Sequence, residues 1–270
     1  MSGHPSTVPS DSRAGSFRAG GSLAQGPLAR WLTPPHLRSL AERDPAAVEE
    51  MDRPDCDPEK LRRTYAQFWL INSVVSGWRR NYVRYLRPRF DSDRTNTLLD
   101  IGSGGGDVPR MLARWARRDG LLLEVTGIDP DPRAHAFASS RPALPGLSFR
   151  RAFSSELVAE GRTYDVVISN HVLHHLADEE FSALLADSEV LGRRLSLHGD
   201  IERSRWGYAL FSAGTLPFFP GSFIRQDGLT SIRRSYTAAE LAAAAPPGWQ
   251  CLQQRPWQNL LMRTTPGGDG

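Results

Sequence analysis

The chain has 270 residues, 40% hydrophobic and 23% charged, which suits one large soluble α/β domain with an appendage or two small domains. No run of about 18 apolar residues occurs and the N-terminus has no apolar h-region, so neither a membrane span nor a secretory signal is expected. The formal charge is only +3, and Cys56 and Cys251 stand outside any C-x-x-C or Cys/His pattern, which argues against a disulfide scaffold or structural zinc and fits a reducing cytoplasm.

Residues 1–26 are rich in Ser, Gly and Pro and read as a disordered tail. Residues 27–94 read as a helical N-terminal extension or cap. Its first part, to residue 58, is rich in Pro and Asp and predicts short helices and loops. Residues 59–87 contain no proline and predict one or two helices, with Leu61, Tyr65, Phe68, Trp69 and Asn72 sharing a face. Around the end of this stretch Arg79, Arg80, Arg84, Arg87 and Arg89 interleave with Trp78, Tyr82 and Tyr85. A nucleic-acid or anionic-membrane surface is one reading, but a solvated helix face with inward aromatics is favoured.

From residue 97 strands and helices alternate. TLLDI, LLLEVTGID, LSFRR, YDVVIS and RRLSLHGD predict five strands. DVPRMLARWARR, PRAHAFASS and DEEFSALLADSEVL predict intervening helices. Right-handed crossovers then give a doubly wound, mostly parallel sheet of Rossmann-like type. WQCLQQR and QNLLMRT, with Pro256 between them, predict a closing antiparallel hairpin, making seven strands in a core at 95–265. An aromatic Gly/Pro-containing insert interrupts the alternation at 205–236.

The first predicted strand runs into LLDIGSGGGD, residues 98–107, a strand, glycine turn and helix start of nucleotide-cradling size. A dinucleotide fingerprint asks for glycine where Asp107 stands. Asp100, at the strand end, would repel a pyrophosphate and attract a cation, as in S-adenosylmethionine, which carries an ammonium and a sulfonium. Asp129, ending the second strand, is placed to accept two hydrogen bonds from a ribose diol.

The chain has seven histidines, and His171, His174 and His175 crowd into SNHVLHHL after the fourth strand. A metal reading would join His171 and His174 or His175 to Glu179 or Asp200. No further ligand cluster accompanies them, so no metal is expected. One imidazole packing against backbone and another moving a proton is the preferred reading.

The pattern D-x-G-x-G-x-G followed by Asp129 resembles the class I S-adenosylmethionine-dependent methyltransferases. That resemblance, over roughly residues 95–200, assigns the cofactor to Asp100, Gly102, Ser103, Gly104 and Asp129, with Asn170 at the end of strand four. Where that family often has an acid for adenine, Phe153 and Ser154 stand here. The LHH turn resembles small-molecule methyltransferases of the quinone-biosynthesis type. It implies an acceptor pocket with His175 or His174 as base, paired with Asp200. MDRPDCDPEKLRRTYAQFWLIN and GDIERSRWGYALF are similar to bacterial methyltransferases associated with polyketide-type phenolic or pyrone lipids, a link to secondary metabolism. In that group Glu202 is usually a histidine. The acceptor is then expected to meet Tyr65, Trp69, Asn72, His171 and Arg203 beneath a cap of Trp206, Tyr208, Phe211, Phe218 and Phe219.

The expected function is therefore methylation of a small aromatic or polyketide-like acceptor, at oxygen by preference, with carbon possible. No nucleic-acid partner is expected, and the oligomeric state is left open. Rivals are an RNA or protein methyltransferase, disfavoured by Ser169-Asn170-His171-Val172 in place of N-P-P-[YF], and a non-catalytic cofactor-binding relative. A dehydrogenase is disfavoured by Asp100 and Asp107.

Overall fold

A computed structural model describes residues 40–74, 76–216 and 219–265. The expected tail at 1–26, the start of the extension to residue 39, and Phe218 lie outside the described residues. Helix α1 (Pro58–Val74) is followed by a short α2 (Trp78–Asn81), which widens into a π-type turn over Tyr82–Leu86. The core then runs β1 (Asn96–Ile101), α3 (Asp107–Arg118), β2 (Leu123–Ile128), α4 (Pro132–Ser140), β3 (Leu147–Arg150), α5 (Ser154–Ala159) and β4 (Tyr164–Asn170). It continues through α6 (Asp178–Leu191), β5 (Gly192–Ile201), α7 (Arg205–Gly214), α8 (Ile224–Arg234), α9 (Ala238–Ala244), β6 (Gln250–Gln254) and β7 (Gln258–Thr264).

The seven strands form one sheet in the order β3-β2-β1-β4-β5-β7-β6. The first five pair in parallel, while β7 pairs antiparallel with both β5 and β6, as the expected hairpin requires. Adjacent strand residues point to opposite faces, and both faces are apolar because helices cover both. Leu98, Val125, Val166, Ile168 and Leu195 pack beneath α3, Trp78 and Tyr82. Leu99, Ile101, Ile128, Val167 and Leu261 pack beneath α6, α9 and Trp249.

The insert at 205–236 folds as two helices, α7 and α8. Ser204 caps α7 by accepting from the Gly207 backbone N–H. Gly228 of α8 lets the Phe211 ring approach, since a Cβ there would meet it at 2.4 Å. Helices α5 and α9 also lie between the expected elements.

The arginine-rich stretch has its aromatics inside. Trp78 and Tyr82 are fully buried, the Tyr82 hydroxyl donates to Asp119, and Arg79 lies over the Tyr82 and Trp115 rings. Among the described residues no helix is long and apolar enough to cross a membrane.

Candidate functional site

The parallel pairing brings the carboxyl ends of β2, β1, β4 and β5 side by side. Asp129, Asp100, Asn170 and Asp200 therefore stand along one rim of the sheet, where an open α/β sheet reverses its winding and binds ligands. A cavity of about 460 Å³ opens above that rim. Seven carboxylates line it (Glu49, Asp52, Asp100, Asp107, Asp129, Asp131 and Asp227), and among the described residues neither a lysine nor an arginine does.

At one end of the cavity the glycine turn is held by the Gly102 and Ser103 backbone N–H groups, both donating to Ile128 O at 2.9 Å. Gly102 has φ 70°, and a Cβ there would lie 2.6 Å from the Val172 side chain. Gly104 has φ 52° with open space where a Cβ would be, so the backbone itself forms the cavity wall. Asp129 Oδ2 accepts from the Gly104 N–H at 2.9 Å and Oδ1 from the Asp131 N–H at 2.9 Å. A carboxylate has about four lone-pair sites, so both oxygens can still receive a diol.

Asp100 is 1% exposed, and its Oδ1 is buried with no hydrogen-bond partner. Burial, with Asp129 nearby, pushes its pKa well above the usual carboxylate range. Such an acid lacks a cation. The ammonium of S-adenosylmethionine would supply one, so the donor set fits that cofactor.

At the other end, the turn Leu173–His175 orders the histidines. His174 Nδ1 lies 2.7 Å from Asp200 Oδ1, and the His174 backbone N–H donates to Asp200 Oδ2 at 2.9 Å. The Nε2 side of His174 faces Glu49 Oε1 at 3.3 Å, away from the line of a directed hydrogen bond. Burial opposes charge on this ring, but Asp200 and Glu49 outweigh it and raise the His174 pKa to about 9. Burial likewise opposes charge on Glu49; contacts from His174 and His175 and a 2.8 Å bond from Ser231 hold its pKa at about 2.

His171 is the contrasting case. Its backbone is left-handed, at φ 58°, and its N–H donates to Gly199 O. Its Nε2 is buried with no partner, and burial lowers its pKa to about 4.

His175 does not join Asp200. Its Nδ1 is 3.1 Å from Asp52 and its Nε2 is 3.7 Å from Glu49. Glu49, His174 and His175 bring three potential metal-ligand atoms within 4.8 Å, a different set from the one considered in the sequence. His174 is there engaged by two acids.

The remaining expected residues divide. Tyr65, Asn72, Asn170, Ser103 and His171 line the cavity, and Asn170 Nδ2 donates to Asn72 Oδ1 at 3.2 Å. Trp69 does not line it and is 52% exposed. At about 100° per residue it sits roughly 80° round the helix from Leu61, past the edge of the buried face. Arg203 is buried away from the cavity, held by Glu240 at 2.6 and 2.8 Å and by the carbonyls of Leu40 and Ser235. Phe153 and Ser154 do not line the cavity, and the Ser154 hydroxyl donates to Asp187.

Sequence reasoning missed Glu49, Asp52 and Asp227. They belong to a strap before α1 and to the α8 helix that anchors it. Asp227 accepts from the Glu50 and Met51 N–H groups at 2.8 and 3.0 Å. Burial, with Glu49 and Asp52 near, lifts the Asp227 pKa to about 7. Arg133, beside the cofactor end, donates to the carbonyls of Met51 and Arg53.

A family model described as a methyltransferase domain matches residues 98–191. Residues 98–191 thus match a methyltransferase domain, a span that holds the glycine turn, Asp129 and the histidine turn. A "Ubiquinone biosynthesis O-methyltransferase" of Rhizobium leguminosarum bv. trifolii is 36% identical over 86 residues, 31% of this chain and 32% of that protein. One of Methylobacterium sp. is 32% identical over 124 residues, 44% and 46%. The chain thus spans less than half the length of these curated relatives. The fold is shared with human N-acetylserotonin methyltransferase, solved in complex with SAM, at a TM-score of 0.53 and 15% identity over 77% of this chain and 57% of that one.

Proposed function

We propose that this methyltransferase domain moves a methyl group from S-adenosylmethionine to an oxygen of a small apolar, phenol-like acceptor. The observation that carries the reading is the cavity itself: an acid-lined floor at one end and a histidine turn at the other. Seven carboxylates, with no lysine or arginine among the described lining residues, favour a cationic cofactor over a dinucleotide and argue against a nucleic-acid acceptor. When bound, the cofactor supplies a methyl group on a positively charged sulfur. Asp100 would hold its ammonium, Asp129 its ribose, and the Gly102–Gly104 backbone would let it approach closely. The histidine turn with Asp200 would manage the acceptor's proton.

A second, apolar chamber of about 430 Å³ adjoins the cavity. The two share Ile71, Ile201 and Phe211 in their walls, and Leu210, Phe219, Ile232 and Trp257 continue the chamber. It supports an acceptor with an apolar body. The relatives' name makes a quinone precursor one such compound, and a polyketide-type phenol is the other. In this reading 95–265 is the catalytic core, 205–236 caps it, and two free thiols suit the cytoplasm.

Calorimetry with S-adenosylmethionine and with NAD, followed by mass analysis of methyl transfer to alkylphenols, alkylresorcinols and pyrones, tests the proposal. Binding of the first ligand alone and an O-methyl product are expected. Preference for NAD would sink the cofactor, and a C-methyl product would move the reaction to carbon.

A further inference from the structure

The acceptor end holds two histidines in opposite settings, His174 buried and His171 part-buried. Both ring nitrogens of His174 face a carboxylate, Asp200 at 2.7 Å and Glu49 at 3.3 Å. Glu49 is 3% exposed, and its Oε1 meets His174, His175 and Ser231. Such an array keeps its central ring charged and fixed in orientation. His171 lies with its ring 6.3 Å from that of His174 and at 86° to it. It too lines the cavity, but no acid bonds to it and its Nε2 is buried and unpartnered.

We propose that the two histidines divide the work. His174, clamped by Asp200 and Glu49, is a fixed cation that steadies the acceptor's oxygen, and His171 takes its proton at Nε2. Glu49 is a positioning residue that acts through His174. This rests on the methyl-transfer reading above.

The balance is simple. The acceptor O–H bond breaks as its oxygen gains the methyl group, and the proton goes to His171 Nε2. The positive charge lost at the cofactor's sulfur reappears on the His171 imidazolium, so the buried site keeps its net charge. His171 must be the tautomer protonated at Nδ1. Its weak basicity suffices because the positive charge on His174 favours the ionised oxygen and so lowers the pKa of the acceptor's hydroxyl. Two titrating groups pushed to opposite sides of neutrality, about 4 for His171 and about 9 for His174, are a pattern of paired acid–base roles.

The charged and titratable groups around the pair are Asp200 from β5, Glu49 and Asp52 from the strap, His175 from the same turn, Arg43, which donates to the His174 carbonyl, and Arg234 of α8, which donates to the His175 carbonyl. Two measurements separate the possibilities. In the first, imidazole nitrogens of the full-length protein are titrated by NMR without ligand. His171 neutral and His174 charged at pH 7 are expected; either one reversed overturns the assignment whatever the activity. In the second, kcat is followed from pH 6 to 10 with S-adenosylmethionine and an alkylphenol. A plateau through neutrality that falls above about pH 9 is expected. A rise of nearly tenfold per pH unit between 7 and 9 would make His174 the base and overturn the proposal.

H171N suits the left-handed backbone, because asparagine adopts it readily. It should lower kcat by about 100-fold or more while cofactor affinity and thermal unfolding stay close to wild type. E49Q should move the alkaline fall to lower pH by about one unit, and E49D should restore part of that shift. An H171N enzyme with wild-type kcat, or an E49Q profile that does not move, overturns the respective role. If the cofactor binds and no phenol, resorcinol or pyrone turns over, the functional reading fails and His171's catalytic role with it. The NMR titration still accepts or rejects the two charge states.

Discussion

The two ends of the cavity are made in different ways. The cofactor end is local: Gly104 and Asp129, which bond to each other, are 25 positions apart, and both sit at ends of neighbouring parallel strands. The acceptor end is gathered from afar: Ser231 and Glu49 are 182 positions apart, and Asp227 reaches the Glu50 N–H across 177. A binding floor that every substrate shares can be written in one short stretch. The far end of the cavity, which the proposed reading gives to the acceptor, is assembled where the strap, the turn after β4 and α8 meet.

That contrast can be broken by mutation. Asp129→Ala removes two acceptors for a ribose diol and should weaken S-adenosylmethionine by about 100-fold or more, at about 1.5–3 kcal/mol per hydrogen bond to a charged group. Calorimetry giving less than a tenfold change would detach Asp129 from the cofactor.

Asp165 provides a control outside the cavity. At the other end of β4 it accepts from Arg94 at 2.8 and 3.0 Å and from the Thr97 N–H at 2.8 Å. Asp165→Ala should cost about 2–4 kcal/mol in a denaturant titration and leave cofactor affinity per folded molecule unchanged. Burial opposes its charge, but Arg94 and Thr97 outweigh it and hold its pKa at about 2. A lowered carboxylate pKa stabilises the fold above the unfolded value near 3.8. That contribution should be lost as pH falls from about 4 to about 2, a steepening of acid unfolding that the Ala variant lacks.

Asp100→Asn sharpens the contrast in the opposite sense. It should weaken the cofactor by about 10–100-fold yet raise the melting temperature of the free protein by about 2–4 °C, because an uncompensated buried acid is removed. The raised Asp100 pKa also has a sign: a cation arriving beside it expels its proton, so cofactor affinity should rise with pH. Calorimetry in buffers of different ionisation heat measures the release.

Phe211→Ser, in the wall shared by the two chambers, carries the smallest effect. Acceptor KM should rise about tenfold while cofactor affinity moves by less than about twofold.

The sequence made the cofactor end legible because its signals are short: a strand, three glycines at alternate positions and an acid on the next strand end. The sheet was legible because its strands read as apolar runs between helices. Asp200 beside His174 came with the family resemblance, and the parallel pairing of β4 with β5 explains it: the turn after β4 meets the carboxyl end of β5. Glu49 was not, because a single acid in the segment before α1 carries no periodicity, and only the packing of α8 brings it over the turn. Trp69 and Arg203 show the opposite limit. Helical spacing put Trp69 near the buried face without fixing which side of its edge it occupies. An arginine next to a site motif found its partner in Glu240, 37 positions on.

The Arg133 anchor gives the strap a reporter of its own. Its guanidinium also reaches the Cys56 thiol, with Nη1 3.3 Å from Sγ. The chain's only other cysteine, Cys251, lies in β6, where burial raises its thiol pKa. A thiol reagent should therefore mark Cys56 first, and the labelling rate, with and without S-adenosylmethionine, becomes a clock for how often the strap lifts from Arg133.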